Sequence, residues 1–244
     1  MHYSFAVDNV SVSRDTFRIT GISFSLKSGD IMGLVGRSGS GKSTIISALL
    51  GLKKTDSGTI RASFSHGKGE NIVGLRNIIG YSPQENSLFP FLTIMENMGI
   101  FAKLYAIGRK EFLANSEKLL AQLHLTDHRN KKIIHLSGGM QKRADIAVSL
   151  IHDPKIIILD EPFNGLDISL QRFIWNYLIS LSKEGKIIIV SSHLLSDIER
   201  NCNQLGLVHE GYFYNTQHVA AWLKGNPHKR LEELIGGLFD RREK

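Results

Sequence analysis

The chain contains 244 residues, of which 42% are hydrophobic and 22% are charged, as is typical of a folded globular domain. No apolar run approaches the ~20 residues that a membrane-spanning helix needs, and the first residues lack the pattern of a signal peptide. The formal net charge of +7 is scattered along the chain, so we expect a solvated basic surface and no specific nucleic-acid site. Cys202 is the single cysteine, which excludes an intrachain disulfide and favours a packing role in a cytoplasmic protein.

The first third of the chain predicts a series of short strands. Apolar and polar residues alternate from Ile22 to Leu26, which is typical of a half-buried strand. An apolar strand at 31–35 precedes a glycine-rich loop and a buried helix that ends near Gly51. Strands are predicted at residues 3–10, 18–27, 59–62 and 78–82, with a polar surface loop over residues 63–77.

The middle of the chain predicts helices without strands. Apolar residues recur at helical spacing over residues 93–123, which predicts a helical stretch. A helix-only region between strands indicates an inserted helical subdomain. Beyond it, apolar β-branched runs at 156–160 and 187–191 predict central parallel strands, separated by an amphipathic helix at 168–182. The last part predicts a hairpin, with strands at 205–208 and 212–214, and two short helices from about residue 217.

The glycine-rich loop matches the phosphate-binding pattern G-x-x-x-x-G-K-[ST] at every fixed position. Its residues are Gly36, Arg37, Ser38, Gly39, Ser40, Gly41, Lys42 and Ser43, and Thr44 continues the helix. A triphosphate needs several converging backbone N–H groups, and glycines let the backbone approach it closely. Lys42 is suited to bridging the β- and γ-phosphates, and the Ser43 hydroxyl is suited to Mg²⁺. The strand–loop–helix context favours a nucleotide site over an incidental glycine-rich turn.

Three further polar side chains follow apolar strands at the carboxyl ends of those strands. Asp160 and Glu161 close the first central strand, and His193 follows the second. Open α/β sheets bind ligands at this edge, so we expect the three side chains to meet the phosphate loop. Asp160 can hold Mg²⁺ through its water shell, while Glu161 can orient or deprotonate a water molecule. Each motif, taken alone, also fits a solvated or structural strand end.

A second helix start is rich in small residues. Leu136 is followed by Ser137, Gly138 and Gly139, at the beginning of a helix that runs to about Ile151. Ser137 is suited to capping this helix. Glycines in the first turn lower helix propensity, but they let an anion approach the helix end closely. Spacing alone leaves open whether this helix start meets the phosphate loop within one chain or between two chains.

In this order, these motifs resemble the nucleotide-binding domain of ABC transporters. The phosphate loop is similar to Walker A, residues 156–161 to Walker B, and residues 136–141 to the family signature, which other phosphate-loop enzymes do not share. The resemblance covers the chain to about residue 215. It implies one α/β ABC ATPase domain with a phosphate-loop core, a mixed sheet and an inserted helical subdomain. The implied divisions are a core at 1–84 and 153–216 with an N-terminal β subdomain, a helical subdomain at 85–152, and a helical tail at 217–244.

The resemblance also assigns roles within one chain. Gln84 is similar to the glutamine that senses Mg²⁺ and the γ-phosphate, and residues 164–167 are similar to the D-loop. Asp160 is similar to the Walker B aspartate, Glu161 to the catalytic glutamate and His193 to the switch histidine. Lys42 is expected to stabilise charge on the leaving phosphates.

A dimer follows from the same resemblance. In the family, two such domains sandwich two ATP molecules head to tail. Ser137, Gly138 and Gly139 are then expected to contact the γ-phosphate held by the other subunit, which is a second copy or a homologous ATPase. Residues 81–97 and 193–199 are similar to ATPase subunits of ABC-2-type exporters. That similarity implies a separate transmembrane permease, with this chain held peripherally at the inner face of the cell membrane.

Three positions depart from the family pattern. Phe17 is the nearest aromatic residue to the expected adenine-stacking position, and it fits a core residue equally well. The signature contains Met140 in place of the commonest glutamine, and Val148 stands where many members carry arginine. Two other classes are alternatives: an ABC-type ATPase acting on DNA or ribosomes, and a phosphate-loop kinase. The compact helical segment and single domain disfavour the first, and a kinase has no use for the signature.

Overall fold

The computed structural model describes residues 3–14, 17–64, 70–71, 77–226 and 231–240. Its strands are β1 (Tyr3–Arg14), β2 (Phe17–Lys27), β3 (Ile31–Val35), β4 (Ser57–Phe64), β5 (Glu70–Asn71), β6 (Ile79–Ser82), β7 (Ile156–Leu159), β8 (Ile187–Ser192), β9 (Gln204–His209) and β10 (Tyr212–Asn215). Its helices are α1 (Lys42–Leu49), α2 (Ile94–Leu104), α3 (Arg109–Gln122), α4 (Gly138–Ser149), α5 (Ile168–Lys183), α6 (Leu195–Asn201), α7 (Thr216–Gly225) and α8 (Leu231–Asp240).

These strands form one sheet in the order β5-β4-β1-β2-β10-β9-β3-β8-β7-β6. Strands β9, β3, β8, β7 and β6 run parallel, whereas β5, β4, β1 and β2 pair antiparallel. Strand β10 joins the two parts, because it pairs antiparallel with β9 and parallel with β2. The mixed sheet predicted from the sequence is therefore confirmed.

The central strands are apolar along most of their length because helices or strands cover both faces of the sheet. On one face, Ile157 and Ile188 belong to the core that includes α4 and α5. On the other face, Ile156 and Ile187 pack with Ile46 of α1 and with the antiparallel strands. This two-sided packing fixes the carboxyl ends of β3, β7 and β8 along one edge, where the predicted polar residues lie.

The predicted helical stretch over residues 93–123 begins at Thr93 but is broken into two helices. Thr93 and Glu96 form a capping box, with Glu96 N donating to Thr93 Oγ1 at 3.1 Å and Thr93 N donating to Glu96 Oε2 at 2.7 Å. After α2, Ala106 has a φ of 55°, which an α-helix does not allow, and α3 restarts after Gly108. Tyr105 stacks on His152 at a ring-centroid distance of 3.7 Å, and this contact lies at the break.

The predicted surface loop over residues 63–77 is partly wrong. Strand β4 continues through Ser63 and Phe64, and residues 70–71 form β5, which pairs antiparallel with β4. Polar composition alone did not reveal this pairing, since a short edge strand can be polar on both faces. Residues 65–69 and 72–76 of the predicted loop lie outside the described ranges.

The last part of the chain follows the prediction with one addition. The β9–β10 hairpin turns at Glu210 and Gly211, which have φ values of 48° and 79°, and α7 and α8 follow it. The addition is α6, a short helix directly after His193. Cys202 ends this helix half-buried, and burial raises the pKa of its thiol to about 12, in keeping with a packing role. No helix in the described ranges is long and apolar enough to cross a membrane.

Candidate nucleotide site

The phosphate loop depends on glycine at Gly41. Gly41 has a φ of 104°, and a Cβ there would lie 2.4 Å from Ile19 Cδ1 and 2.9 Å from Phe17 Cε1. No side chain caps the start of α1, although Ile45 N already donates to Gly41 O at 3.0 Å. The first N–H groups of α1 are thus free to bind an anion, as is usual where a glycine-rich loop leads into a helix.

A cleft of about 860 Å³ opens over this loop. Its wall contains most of the residues predicted from the sequence: Gly36, Arg37, Ser38, Gly39, Gly41, Lys42, Ser43, Thr44, Gln84, Glu161 and His193. Glu161 and His193 therefore lie at the cleft with the phosphate loop, whereas Asp160 does not line it. Ser40 does not line the cleft; its buried hydroxyl has no hydrogen-bond partner among the described residues.

Lys42 is buried at the floor of the cleft. Its ammonium group donates to Gly36 O at 2.8 Å and to Arg37 O at 3.3 Å, and it lies 3.1 Å from Glu161 Oε1. The two carbonyls and the carboxylate fix the long side chain in one position, so its charge is already directed at the loop.

Glu161 connects the phosphate loop to the end of β8. Its second carboxylate oxygen, Oε2, lies 2.9 Å from His193 Nδ1, and its backbone N–H donates to Ser191 Oγ at 2.7 Å. Glu161 has a φ of 46°, a left-handed conformation that is uncommon outside glycine. Such backbone strain is often found at functional sites, where surrounding contacts maintain it. One carboxylate is thus held between a lysine and a histidine.

Asp160 lies beneath the cleft and does not line it. Only 2% of its surface is exposed, its carboxylate accepts a hydrogen bond from Ser191 Oγ, and its backbone N–H donates to Ser82 O at 2.9 Å. Asp160 also acts on a neighbour: burial and this carboxylate together raise the pKa of Tyr81 to about 12. Asp160 can reach a metal ion in the cleft only through water or after a local shift.

The second predicted helix start lies outside the cleft. Ser137 caps α4, with its hydroxyl accepting from Met140 N at 3.3 Å. Gly139 packs tightly, because a Cβ there would lie 2.4 Å from Leu170 Cδ2, whereas a Cβ at Gly138 would meet nothing within 4 Å. None of these three residues lines the cleft, so the two helix starts do not form one site within a single chain.

Sequence reasoning missed some residues of the site. Arg14 and Leu195 line the cleft, and Ser191 binds both acidic residues from below. Asn164, the first residue of the predicted D-loop, also lines the cleft. A signal existed for Ser191, since a serine inside an otherwise apolar strand needs a hydrogen-bond partner. Phe17, for which two roles were open, is half-buried at the cleft wall and also packs against the core.

The known proteins to which this chain is similar belong to one family. Residues 19–164 match the family model described as ABC transporter. A protein of Burkholderia orbicola named Nod factor export ATP-binding protein I is 34% identical over 226 residues, covering 91% of this chain and 70% of the relative. The linearmycin resistance ATP-binding protein LnrL of Bacillus subtilis is 36% identical over 193 residues, covering 79% of this chain and 62% of the relative.

Solved structures share the fold. A structure described as an ATP binding subunit of an ABC transporter aligns with a TM-score of 0.83, at 24% identity, over 97% of this chain and 99% of its own. An ATP-binding cassette described in its ADP conformation aligns with a TM-score of 0.77, at 23% identity, over 98% of this chain and 96% of its own. Because the family model spans more than half of the sequence and the relatives match most of its length, the chain belongs to the ABC transporter family as an ATP-binding subunit, with the ATPase activity characteristic of that family.

Proposed function

We propose that this chain hydrolyses ATP between two subunits arranged head to tail, and that closure of the dimer powers export through a separate membrane subunit. The single observation that carries the proposal is the contrast between the two helix starts. The phosphate loop lines a cleft with Lys42, Gln84, Glu161 and His193, while Ser137 lies on a different surface. A second subunit can bring its own Ser137 to this cleft.

Within the cleft, Glu161 is the residue best suited to act on water. Its carboxylate contacts Lys42 and His193, so its position is fixed before substrate binds. It orients the attacking water and accepts its proton, while His193 holds the γ-phosphate. Lys42 and the loop N–H groups neutralise charge that builds on the leaving phosphates.

The oxygen donors of the site fit Mg²⁺, although no group of three His, Cys, Asp or Glu side chains suited to a metal occurs among the described residues. The exposed hydroxyl of Ser43 and the exposed amide of Gln84 both line the cleft, and the Asp160 carboxylate lies beneath it. Mg²⁺ prefers such oxygen ligands and takes its remaining ones from water and phosphates. When bound, it supplies positive charge at the terminal phosphates. Ser43 and Gln84 would hold it directly, and Asp160 through water.

The dimer is tested by trapping it with ATP. Glu161→Gln slows hydrolysis, so ATP should shift this variant from monomer to dimer in light scattering after size exclusion. Adding Ser137→Ala to this variant should raise the ATP concentration needed for dimerisation by about tenfold, the cost of one hydrogen bond to a charged group. The control is Glu117→Gln, an exposed change on α3 that should give no trapped dimer. A Glu161→Gln protein that stays monomeric at saturating ATP contradicts the head-to-tail arrangement.

Export is proposed from the named relatives, which are called export and resistance proteins. Their similarity favours a transporter over an ATPase that acts on nucleic acid or ribosomes. A partner that carries the transport path would be a membrane protein, and this chain would lie peripherally at the inner face of the membrane through that partner.

An apolar patch beside the helical region is the best docking surface for such a permease. Phe89 and Phe91 are 48% and 69% exposed, and Ile134, which is 50% exposed, lies next to them because its N–H donates to Pro90 O at 2.9 Å. Exposed clusters of large apolar side chains commonly mark interaction sites. A short apolar helix of the membrane subunit is the occupant we propose.

This docking surface is tested with a matched pair of charged variants. Phe91→Glu should remove a co-purifying membrane protein from detergent extracts of the native cells, while basal ATPase stays within about twofold, since the patch lies away from the cleft. Leu52→Glu is the control, because Leu52 is equally exposed at 69% but follows α1. Loss of ATP binding in Phe91→Glu, or equal loss of the membrane protein in Leu52→Glu, contradicts the assignment.

A further inference from the structure

A buried ion pair connects the signature helix α4 to the end of strand β6. Lys142 and Asp145 lie one turn apart on α4 and are 6% and 1% exposed. Their charged atoms are 3.6 Å apart, and both side chains contact the hydroxyl of Ser82, the last residue of β6. Charged side chains this deeply buried are rare, so their partners identify what they hold in place.

The partners of Asp145 lie on both sides of Gln84. We call residues 82–87 the glutamine loop, because Gln84 extends from it into the nucleotide cleft. One carboxylate oxygen of Asp145 accepts from Ser82 Oγ at the start of the loop. The other accepts from Ser87 Oγ at 3.1 Å and from Ser87 N at 3.4 Å, at the end of the loop. A single side chain of α4 therefore closes the loop.

Lys142 holds the middle of the same loop. Its ammonium group donates to Pro83 O at 2.7 Å and to Ser82 Oγ at 3.1 Å. Burial lowers the pKa of Lys142, and the nearby Asp145 carboxylate opposes this effect. Gln141, one residue earlier, accepts a hydrogen bond from Asn86 Nδ2 at 3.2 Å. These side-chain hydrogen bonds all connect residues 82–87 to α4.

Stability alone does not explain this arrangement. A buried ion pair must be desolvated, and well-packed apolar residues of similar size are often at least as stable. Such residues cannot hold four separate backbone and hydroxyl groups of a loop in fixed positions. The pair therefore holds the glutamine loop in one position, which an apolar core could not do.

We propose that Lys142 and Asp145 are positioning residues that make the glutamine loop and the signature helix move as one body. The inference rests on the proposed function, in which Gln84 meets the γ-phosphate of one subunit and Ser137 that of the other. Ser137 caps the same helix five positions before Lys142. A displacement of Gln84 by bound nucleotide is then transmitted through the buried pair to Ser137, and so to dimer closure. The Ser82 carbonyl extends the connection to Asp160, because it accepts a hydrogen bond from the Asp160 backbone N–H.

The experiment compares this pair with a second lysine–aspartate pair elsewhere in the chain. Lys186 is 8% exposed, donates to Pro154 O at 2.7 Å and pairs with the Asp153 carboxylate, but neither residue contacts the glutamine loop. Lys142→Met and Asp145→Asn are therefore measured beside Lys186→Met and Asp153→Asn. Lys186→Met removes the charge of a lysine buried as deeply as Lys142, so it controls for loss of stability. The Asp153 side chain is 62% exposed, so Asp153→Asn controls only for removing the carboxylate partner of a lysine.

Three quantities are measured in each variant: the dissociation constant for ATP, kcat, and the ATP concentration for half-maximal dimerisation in the Glu161→Gln background. For Lys142→Met and Asp145→Asn we expect ATP binding within about twofold, kcat lowered about tenfold, and the dimerisation concentration raised about tenfold, as lost coupling predicts. For the two control variants all three quantities should stay within about twofold. Equal effects in both sets, or no change in either set, overturn the proposal.

Hydrogen exchange provides a readout that does not depend on dimerisation. In monomeric protein, the amides of residues 84–88 should exchange about tenfold faster in Lys142→Met than in Lys186→Met, because the loop loses its anchor. If Glu161→Gln alone fails to dimerise, the proposed function fails, and exchange and kcat still decide whether the pair positions the loop. Where Asp145→Asn does not fold, Ser87→Ala replaces it, since this exposed change removes one anchor of the loop and leaves the buried pair intact. Unchanged exchange in every folded variant contradicts the inference.

Discussion

The starts of α1 and α4 both contain glycine, and their surroundings differ. At the start of α1, Gly41 is held in a left-handed conformation under Phe17 and Ile19, and Lys42 contacts two loop carbonyls. At the start of α4, Ser137 caps its own helix, and the space beside Gly138 is open. The first helix start lines a deep cleft, whereas the second lies on another surface.

This difference indicates which part of the site is complete within one chain. Packing explains why α1 needs glycine at Gly41, because any Cβ would collide with the core. No contact with the described part of the chain explains glycine at Gly138, since a larger residue would fit there. A glycine without an intrachain reason fits close approach by a group from outside, which the proposed dimer supplies. Substitutions at the starts of α1 and α4 separate the two cases.

The largest expected effect comes from Glu161→Gln. The change keeps the shape of the side chain but removes the charge that contacts Lys42 and His193. Turnover should fall by roughly 10²–10⁴-fold, the usual contribution of a general base, while ATP binding survives. Phosphate release measures turnover and a fluorescent ATP analogue measures binding. Near-normal hydrolysis would rule out Glu161 as the group that acts on water, and Glu117→Gln controls for the loss of a carboxylate.

The residues that meet at the start of α1 were predictable from the sequence for a physical reason. The phosphate loop, Glu161 and His193 follow apolar strands, and parallel strands place their carboxyl ends along one edge. Local pattern and a general rule of sheet topology were therefore sufficient to bring these residues together. Asp160 was predicted at the same edge, but its carboxylate accepts a hydrogen bond from Ser191 in the sheet interior, and no local pattern specified that Asp160 is the partner of this serine.

The contacts of α4 were not predictable in the same way. No role was predicted for Lys142 and Asp145, and both are buried against the glutamine loop. Their burial depends on a contact between residues about 60 positions apart in sequence, such as Ser82 with Asp145. The break after α2 was missed because its signal, Ala106 with a φ of 55°, is a conformation that alanine seldom adopts.

The next effect is expected from Gly41→Ala. Alanine does not readily adopt a φ of 104°, and its Cβ would lie 2.4 Å from Ile19 Cδ1. The free energy of unfolding should fall by about 1–3 kcal/mol, which denaturant titration measures. Affinity for ATP should fall by at least about tenfold, as loss of one hydrogen bond to a charged group would produce. A variant with normal ATP affinity would show that the shape of this loop is not what binds phosphate.

Gly138→Ala should weaken dimerisation without lowering stability or ATP binding, in contrast to Gly41→Ala. Alanine fits the open space at the start of α4, so the free energy of unfolding should stay equal or rise by up to about 1 kcal/mol. ATP binding to the monomer should not change, but the ATP concentration for dimerisation in the Glu161→Gln background should rise about tenfold. Gly108→Ala is the matched control, since Gly108 begins α3 with equally open space. Unaltered dimerisation in Gly138→Ala would remove the reason given for this glycine.

The smallest effect concerns His152, which lies three residues beyond the end of α4. His152 stacks on Tyr105, and its Nε2 donates to Ile79 O at 3.2 Å, whereas its buried Nδ1 has no partner among the described residues. Burial lowers the pKa of His152 from 6.5 to about 4. Because the folded-state pKa lies below the unfolded one, this histidine contributes stability above pH 6.5, and the contribution is lost as the pH falls towards 4.

We therefore expect wild-type protein to lose more stability than His152→Phe between pH 7 and pH 4, because phenylalanine keeps the ring stack and cannot be protonated. Since His152 is partly exposed, the difference should be on the order of 1 kcal/mol in the free energy of unfolding. Urea titration of both proteins at each pH measures it, and subtraction removes the contributions of the carboxylates that both share. Parallel stability curves would show that His152 titrates normally and that the connection between α4 and β6 at this end is looser than its contacts indicate.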